Sequence, residues 1–98
     1  YANVRAIIFY GFPLHPVSNP GIARAEHLKL IRLPMLFLQG SKDDLARTDL
    51  IEQVCGELRT ASLEVIPGAN HSFRIGKKES IVDLAKKSGD WLQALTIL

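Results

Sequence analysis

An α/β architecture follows from three features of this sequence. Apolar runs rich in β-branched, aromatic and leucine residues occur at VRAIIFY (4–10), LPMLFL (33–38) and ASLEVI (61–66). Segments with helical spacing follow each run, and glycine- or proline-bearing turns close them. The resulting order of strand, helix, strand, helix, strand, helix predicts three layers, with a short parallel sheet and helices on its faces. Right-handed crossovers would set the three strands side by side in sequence order.

The first run is apolar almost throughout, the pattern of a strand buried on both faces, and Gly11 and Pro13 stop it. Next comes GFPLHPVSNPG (11–21), whose prolines and closing glycine predict a loop, of a kind that often lines a site. Residues 22–31 place Ile22, Ala25, Leu28 and Ile31 on one side of a short helix, which Pro34 limits. The run 33–38 is the strongest strand signal, with Gln39 and Gly40 opening its turn.

Thr48 is expected to cap the following helix, with Asp49 and Glu52 in the first turn where the helix dipole favours acids. Ile51, Val54, Cys55 and Leu58 form its core-facing stripe, so Cys55 reads as a small buried apolar group. Pro67 and Gly68 close the third strand. A last helix is predicted over 79–95, with a stripe of Ile81, Leu84, Ala85, Ser88, Leu92 and Leu95. Trp91 should cover the sheet edge, and Gly89 marks a weak point where the helix could kink.

At 98 residues the chain is expected to be a single domain, 1–98. A domain this small buries only roughly two-thirds of the surface its unfolded chain exposes, so a partner would add useful burial. Hydrophobic residues at 47% and charged residues at 22% exclude disordered and collagen-like classes. The net charge of +2 owes much to Lys77, Lys78, Lys86 and Lys87. They are assigned to the last helix and its approach and have no interleaved aromatics, which favours a solvated face over a nucleic-acid surface.

The single Cys55 excludes an internal disulfide, no signal-peptide pattern is visible, and no apolar run reaches the ~20 residues of a membrane span. A reducing cytoplasm is the expected compartment, with neither nucleic acid nor membrane as partner. A strand beginning almost at Tyr1 reads as a chain cut from something longer.

Two turns carry the chemistry. GSKDD (40–44) puts Asp43 and Asp44 just beyond the second strand, and GANHSF (68–73) puts His71 just beyond the third. If these strands are parallel neighbours, an acid and an imidazole meet at the carboxyl edge of one sheet, where α/β folds bind ligands. A carboxylate that accepts from one ring nitrogen holds the imidazole in one tautomer, as a general base requires.

The ordered set G-x-x-D, helix, strand, G-x-x-H-x-F resembles the C-terminal third of the α/β-hydrolases. Within that family it is similar to the dienelactone-hydrolase-like branch, in particular to a group with a Y-P-L-H-P segment after the sixth strand. Here that segment reads GFPLHP (11–16), and RAEHL (24–28) and LPMLFLQGSKD (33–43) are similar to the same group. The resemblance implies a partial α/β-hydrolase fold in which 4–10, 35–39 and 63–66 match strands six, seven and eight. It also implies Asp43 as the triad acid, with Asp44 as the fallback, and His71 as the base. No cofactor is implied.

The family's nucleophile sits in a G-x-S-x-G elbow ahead of these strands. Ser18, Ser41, Ser62, Ser72, Ser80 and Ser88 all lie outside such an elbow, and the oxyanion-hole segment has no counterpart. A complete acyl transfer is therefore not expected from these residues alone.

Simpler readings stand beside these. His71 could be a turn histidine satisfied by the backbone, and Asp43 an Asx-turn residue. His15, Asp44 and Phe73 could line a pocket, although His15 reads more simply as an exposed loop residue and His27 as a surface one. A zinc site from His15, His27, His71 and Asp43 lacks any short ligand spacing. Two functions remain open: the acid–base part of a serine hydrolase acting on esters, lactones or related acyl groups, or a non-catalytic interaction module. In either case the first strand would expose an apolar edge, which predicts a homodimer through 4–10 or pairing with a separate N-terminal hydrolase half.

Overall fold

The computed structural model describes residues 4–79 and 81–97. Three parallel strands, β1 (Ile7–Tyr10), β2 (Met35–Gly40) and β3 (Ala61–Ile66), form one sheet in the order β1-β2-β3. Ile7 pairs with Met35 and Tyr10 with Leu38, while Met35 pairs with Ala61 and Gly40 with Ile66. Every residue of β2 is buried. Its continuous apolar run is thus explained by strands on both sides and helices on both faces.

The period-2 alternation of β2 divides the core. Met35 and Phe37 face one layer, with Ile51 and Val54 of α1 (Thr48–Glu57), Leu58 just past its end, and Ala25 and Leu28 of a 3-10 helix (Ala23–Leu30). Leu36 and Leu38 face the other, with Ile66, Ala69, Phe73 and Leu84 of α2 (Ile81–Ile97). Phe9 stacks on Phe37 with centroids 4.7 Å apart, and Phe12 meets both rings edge-on at 5.4 and 5.8 Å. Such pairs add roughly 0.5–1.5 kcal/mol each beyond the area they bury. The loop after β1 is thereby fastened to the sheet.

Several sequence expectations are corrected. The first strand is shorter than 4–10, and Val4 and Arg5 are exposed, with residues 1–3 outside the described set. The segment 22–31 forms a 3-10 helix rather than an α-helix, because no side chain caps its start and Pro34 leaves no room for extension. Thr48 does not cap α1. It is already helical, and its hydroxyl donates to the Ser41 carbonyl at 3.3 Å, while Arg47 holds the cap position without a side-chain bond.

Lys77 and Lys78 precede the last helix without being part of it. They belong to a two-stranded hairpin, β4 (Arg74–Ile75) and β5 (Lys78–Glu79), that turns on Gly76 with φ of +61°. Glycine at the first of two loop residues is what a tight primed turn needs. The last helix begins at Ile81 and runs unbroken through Gly89. Of its predicted stripe, Leu84 and Ser88 are buried, Ala85 and Leu92 are exposed, and Ile81 has a side chain outside the described set. Trp91 is half-buried and packs on the Leu36–Leu38 face. None of the described helices is long and apolar enough to cross a membrane.

Cys55 is half-buried against the α1 core layer, and burial pushes its thiol up to about 12. The thiolate therefore forms more readily in the unfolded chain, so the thiol's contribution to stability is intact below the ordinary value of 9.0 and is lost as pH climbs towards about 12. A disulfide-exchange reagent at pH 8 should label Cys55 much more slowly in the native chain than in the urea-unfolded chain. Equal rates in the two states would contradict this packing.

Candidate active site

At the carboxyl end of β2 the chain must turn while staying in contact with the turn that follows β3. Gly40 makes this approach possible, since a Cβ there would lie 2.2 Å from the Ala69 carbonyl oxygen and 2.6 Å from that of Asn70. Three hydrogen bonds then join the turns. Ser41 N–H donates to the Ile66 carbonyl at 3.1 Å, Lys42 N–H to Ala69 O at 2.8 Å, and Gly68 N–H to Ser41 Oγ at 2.7 Å. The glycine of G-x-x-D is therefore a steric requirement of the junction as well as a turn residue.

The His71 turn is built on Asn70. Its side-chain Oδ1 accepts from the N–H groups of Ser72 and Arg74 at 2.9 and 3.0 Å, an Asx-type arrangement. Phe73 adopts φ of +60°, unusual for a bulky residue and costing about 1–2 kcal/mol. Its ring is only 7% exposed, and burying a phenylalanine contributes roughly 1.5–3 kcal/mol, so burial outweighs the strain. Phe73 therefore faces the core with Leu36, Leu38 and Leu84 rather than lining a pocket.

Asp43 and His71 meet as a result. Asp43 Oδ2 lies 2.8 Å from His71 Nδ1, and Asp43 Oδ1 accepts the Leu45 N–H at 2.8 Å. The carboxylate side chain is fully buried, whereas the imidazole is 41% exposed. An ionised carboxylate only accepts, so neutral His71 carries its proton on Nδ1 and keeps Nε2 as an acceptor. Gly11, with φ of +76°, supports the ring: a Cβ there would approach His71 Cε1 to 3.2 Å. Gln39, 1% exposed, completes the surroundings of Asp43 with Nε2 at 3.5 Å from Oδ2.

An open cavity of about 310 Å³ adjoins the imidazole, lined by Val17, Lys42, Asp44, Leu45, Asn70, His71 and Ser72. A second, of about 360 Å³, shares Val17, Lys42 and Asp44 with it and reaches His15, Arg47 and Asp49. Arg47 and Asp49 form a two-bond ion pair at 2.6 and 2.7 Å on that rim, and the hydrogen bond from Arg47 holds the Asp49 carboxyl below its ordinary value.

His15 lines the second cavity, yet it is 3% exposed, contrary to the exposed loop residue expected. Its Nε2 accepts the Arg47 N–H at 3.0 Å, which leaves Nδ1 to donate to the Pro16 carbonyl at 2.8 Å. Both nitrogens are thus occupied in tying the proline loop to the start of α1. Asp44 is exposed on both cavity rims and shares one of them with His71, whose ion pair is with Asp43, while His27 is exposed on the 3-10 helix. Among the described residues no group of three or more His, Cys, Asp or Glu side chains could hold a metal ion.

The geometry also singles out Gly11, Gly40, Gln39 and Asn70, which sequence reasoning had not assigned to the site. Gly40 was legible as the glycine of the G-x-x-D turn, and Asn70 left a signal as an Asx residue one position before the histidine in a turn.

A part-exposed imidazole backed by a dry carboxylate, at the carboxyl edge of a parallel sheet, is held in one tautomer with Nε2 able to accept a proton. Residues 1–93 match a family model described as an alpha/beta hydrolase domain, and the chain belongs to that family. No solved structure matches the chain.

Gly40→Ala should push the two turns apart and destabilise the fold by about 2–3 kcal/mol, an overpacking penalty at a site where the obstacle is backbone. For a chain of this length that lowers the melting temperature by roughly 10 °C or more. A thermal melt within about 2 °C of the unsubstituted chain would show that the close approach is not needed.

Proposed function

We propose that this chain supplies the acid and base of a serine hydrolase, with Asp43 orienting His71 and a serine outside these residues as the nucleophile. The observation that carries the reading is the 2.8 Å contact between the buried carboxylate and Nδ1 of a part-exposed imidazole, which leaves Nε2 as an acceptor. In this mechanism Nε2 takes the serine proton as the hydroxyl attacks an acyl carbon. It returns that proton to the leaving group, and Asp43 stabilises the imidazolium in between. The likeness of the 11–16, 24–28 and 33–43 segments to the dienelactone-hydrolase-like branch supports esters, lactones or related acyl compounds as substrates. The half-buried, unpaired thiol of Cys55 suits a reducing cytoplasm.

Two of the serines are placed for other tasks. Ser88 Oγ donates to the Leu84 carbonyl at 2.7 Å and accepts from the Tyr10 hydroxyl at 2.8 Å, while Ser41 Oγ serves the Gly68 N–H. Ser72 is exposed beside His71 but outside any elbow, and Ser80 lies outside the described residues. Residues 1–98 alone should therefore not react with a fluorophosphonate probe. A longer form bearing a G-x-S-x-G elbow ahead of residue 1 should label, and His71→Ala should reduce that labelling at least about 100-fold, the scale of a lost general base. Equal labelling without the histidine would refute the role given to it.

A second reading, an interaction module, draws on the outer edge of β1, which pairs with no strand among the described residues. Ile7, Ile8 and Phe9 there are only half-buried, and Tyr10 is 54% exposed. We propose that two copies pair antiparallel along this edge about a twofold axis, giving a six-stranded sheet. The alternative occupant is a hydrolase half supplied in trans. Sedimentation at micromolar concentration should give a dimer, and a discrete monomer would rule out self-pairing.

A further inference from the structure

We propose that Gln39 is a positioning residue for the Asp43–His71 pair, its amide holding the carboxylate that orients the imidazole. The inference rests on reading that pair as acid and base. Gln39 occupies the penultimate position of β2 and is 1% exposed, among neighbours Leu36, Phe37 and Leu38 that are all apolar. A buried primary amide needs partners for its donors and acceptor, and an apolar side chain would fill the same space without that need.

Both ends of this amide have polar neighbours. Oε1 accepts the N–H of Phe12 at 2.7 Å. That bond fixes which way the amide faces, because its nitrogen could not accept from a backbone N–H. Nε2 is consequently turned towards Asp43, 3.5 Å from Oδ2, the oxygen that also receives the His71 proton. This separation is at the long limit for a hydrogen bond. Both groups are shut off from water, however, where the amide dipole acts on the carboxylate at low local dielectric.

The loop after β1 therefore reaches both members of the pair. Gly11 lies against the imidazole, with its missing Cβ 3.2 Å from Cε1, and Phe12 next to it reaches the carboxylate through Gln39. Three turns, one from each strand, fix a single acid–base geometry.

The test is nuclear magnetic resonance on the 98-residue chain with nitrogen-labelled histidine and glutamine. Gln39→Met preserves length and approximate volume but removes the amide. In a folded variant with an unchanged circular dichroism spectrum, the His71 Nδ1 proton should exchange with water about fivefold faster, the loss expected for one modest hydrogen bond. The ring nitrogen shifts should move towards a mixture of tautomers. A folded Gln39→Met chain with both signals unchanged overturns the proposal.

If that variant does not fold, the unsubstituted Gln39 amide provides a second reading. Its Nε2 resonances should shift on Asp43→Asn, and resonances that stay in place overturn the proposal equally. Asp43→Asn also tests the underlying pair on its own. A His71 tautomer untouched by Asp43→Asn removes the acid–base reading, whereas one that responds to Asp43→Asn but not to Gln39→Met removes the Gln39 proposal alone.

Discussion

A carboxylate stripped of water has to be answered by donors, and the local architecture of this protein follows from that requirement at Asp43. Its side chain is fully buried at the end of a strand that is itself buried on both faces. Leaving such a charge unpartnered would cost several kcal/mol. The Leu45 N–H serves one oxygen and the His71 Nδ1–H the other, with the Gln39 amide beside it. Leu45 and Gln39 flank Asp43 in its own stretch of chain, whereas His71 comes from the turn after β3, so satisfying the charge also fixes that turn against the end of β2.

The same constraint explains why small residues sit where they do. Donors can converge on one buried group only if backbones approach closely, and Gly40 and Gly11 are the points at which they do so. Bulk is supplied on the opposite side of each turn. Phe73 drops into the α2 layer one side of His71, and Leu14, fully buried, pins the proline loop into the α1 layer. His15 adds a polar tie from that loop to the start of α1. The imidazole of His71 is therefore carried on a rigid support although it faces solvent.

Much of this was legible in the sequence because the signals are local and periodic. The run 61–66 matches β3 end to end, whereas β2 starts two residues later than the run 33–38 and takes in Gln39 and Gly40, which were expected to open the turn. Ile51, Val54 and Leu58 lie buried at the spacing that predicted them. G-x-x-D and G-x-x-H marked the two turns because each has its own glycine. Illegible were the features that depend on contacts between distant segments. Nothing near Gln39 announces that Phe12 and Asp43 converge on it, and nothing near His15 reveals that Arg47 closes over it. The hairpin at Gly76 was hidden for another reason, since two-residue strands are too short to show any period.

The contrast in exposure between the two members of the pair has a consequence for ionic strength. The pairs Lys29–Glu26, Arg47–Asp49 and Lys87–Glu64 all have side chains more than a third exposed, where mobile counter-ions reach them and weaken their attraction. Asp43 presents no surface to those ions. Molar salt would therefore erode most of the charge pairing on the outside of this protein and leave the alignment of its imidazole nearly untouched.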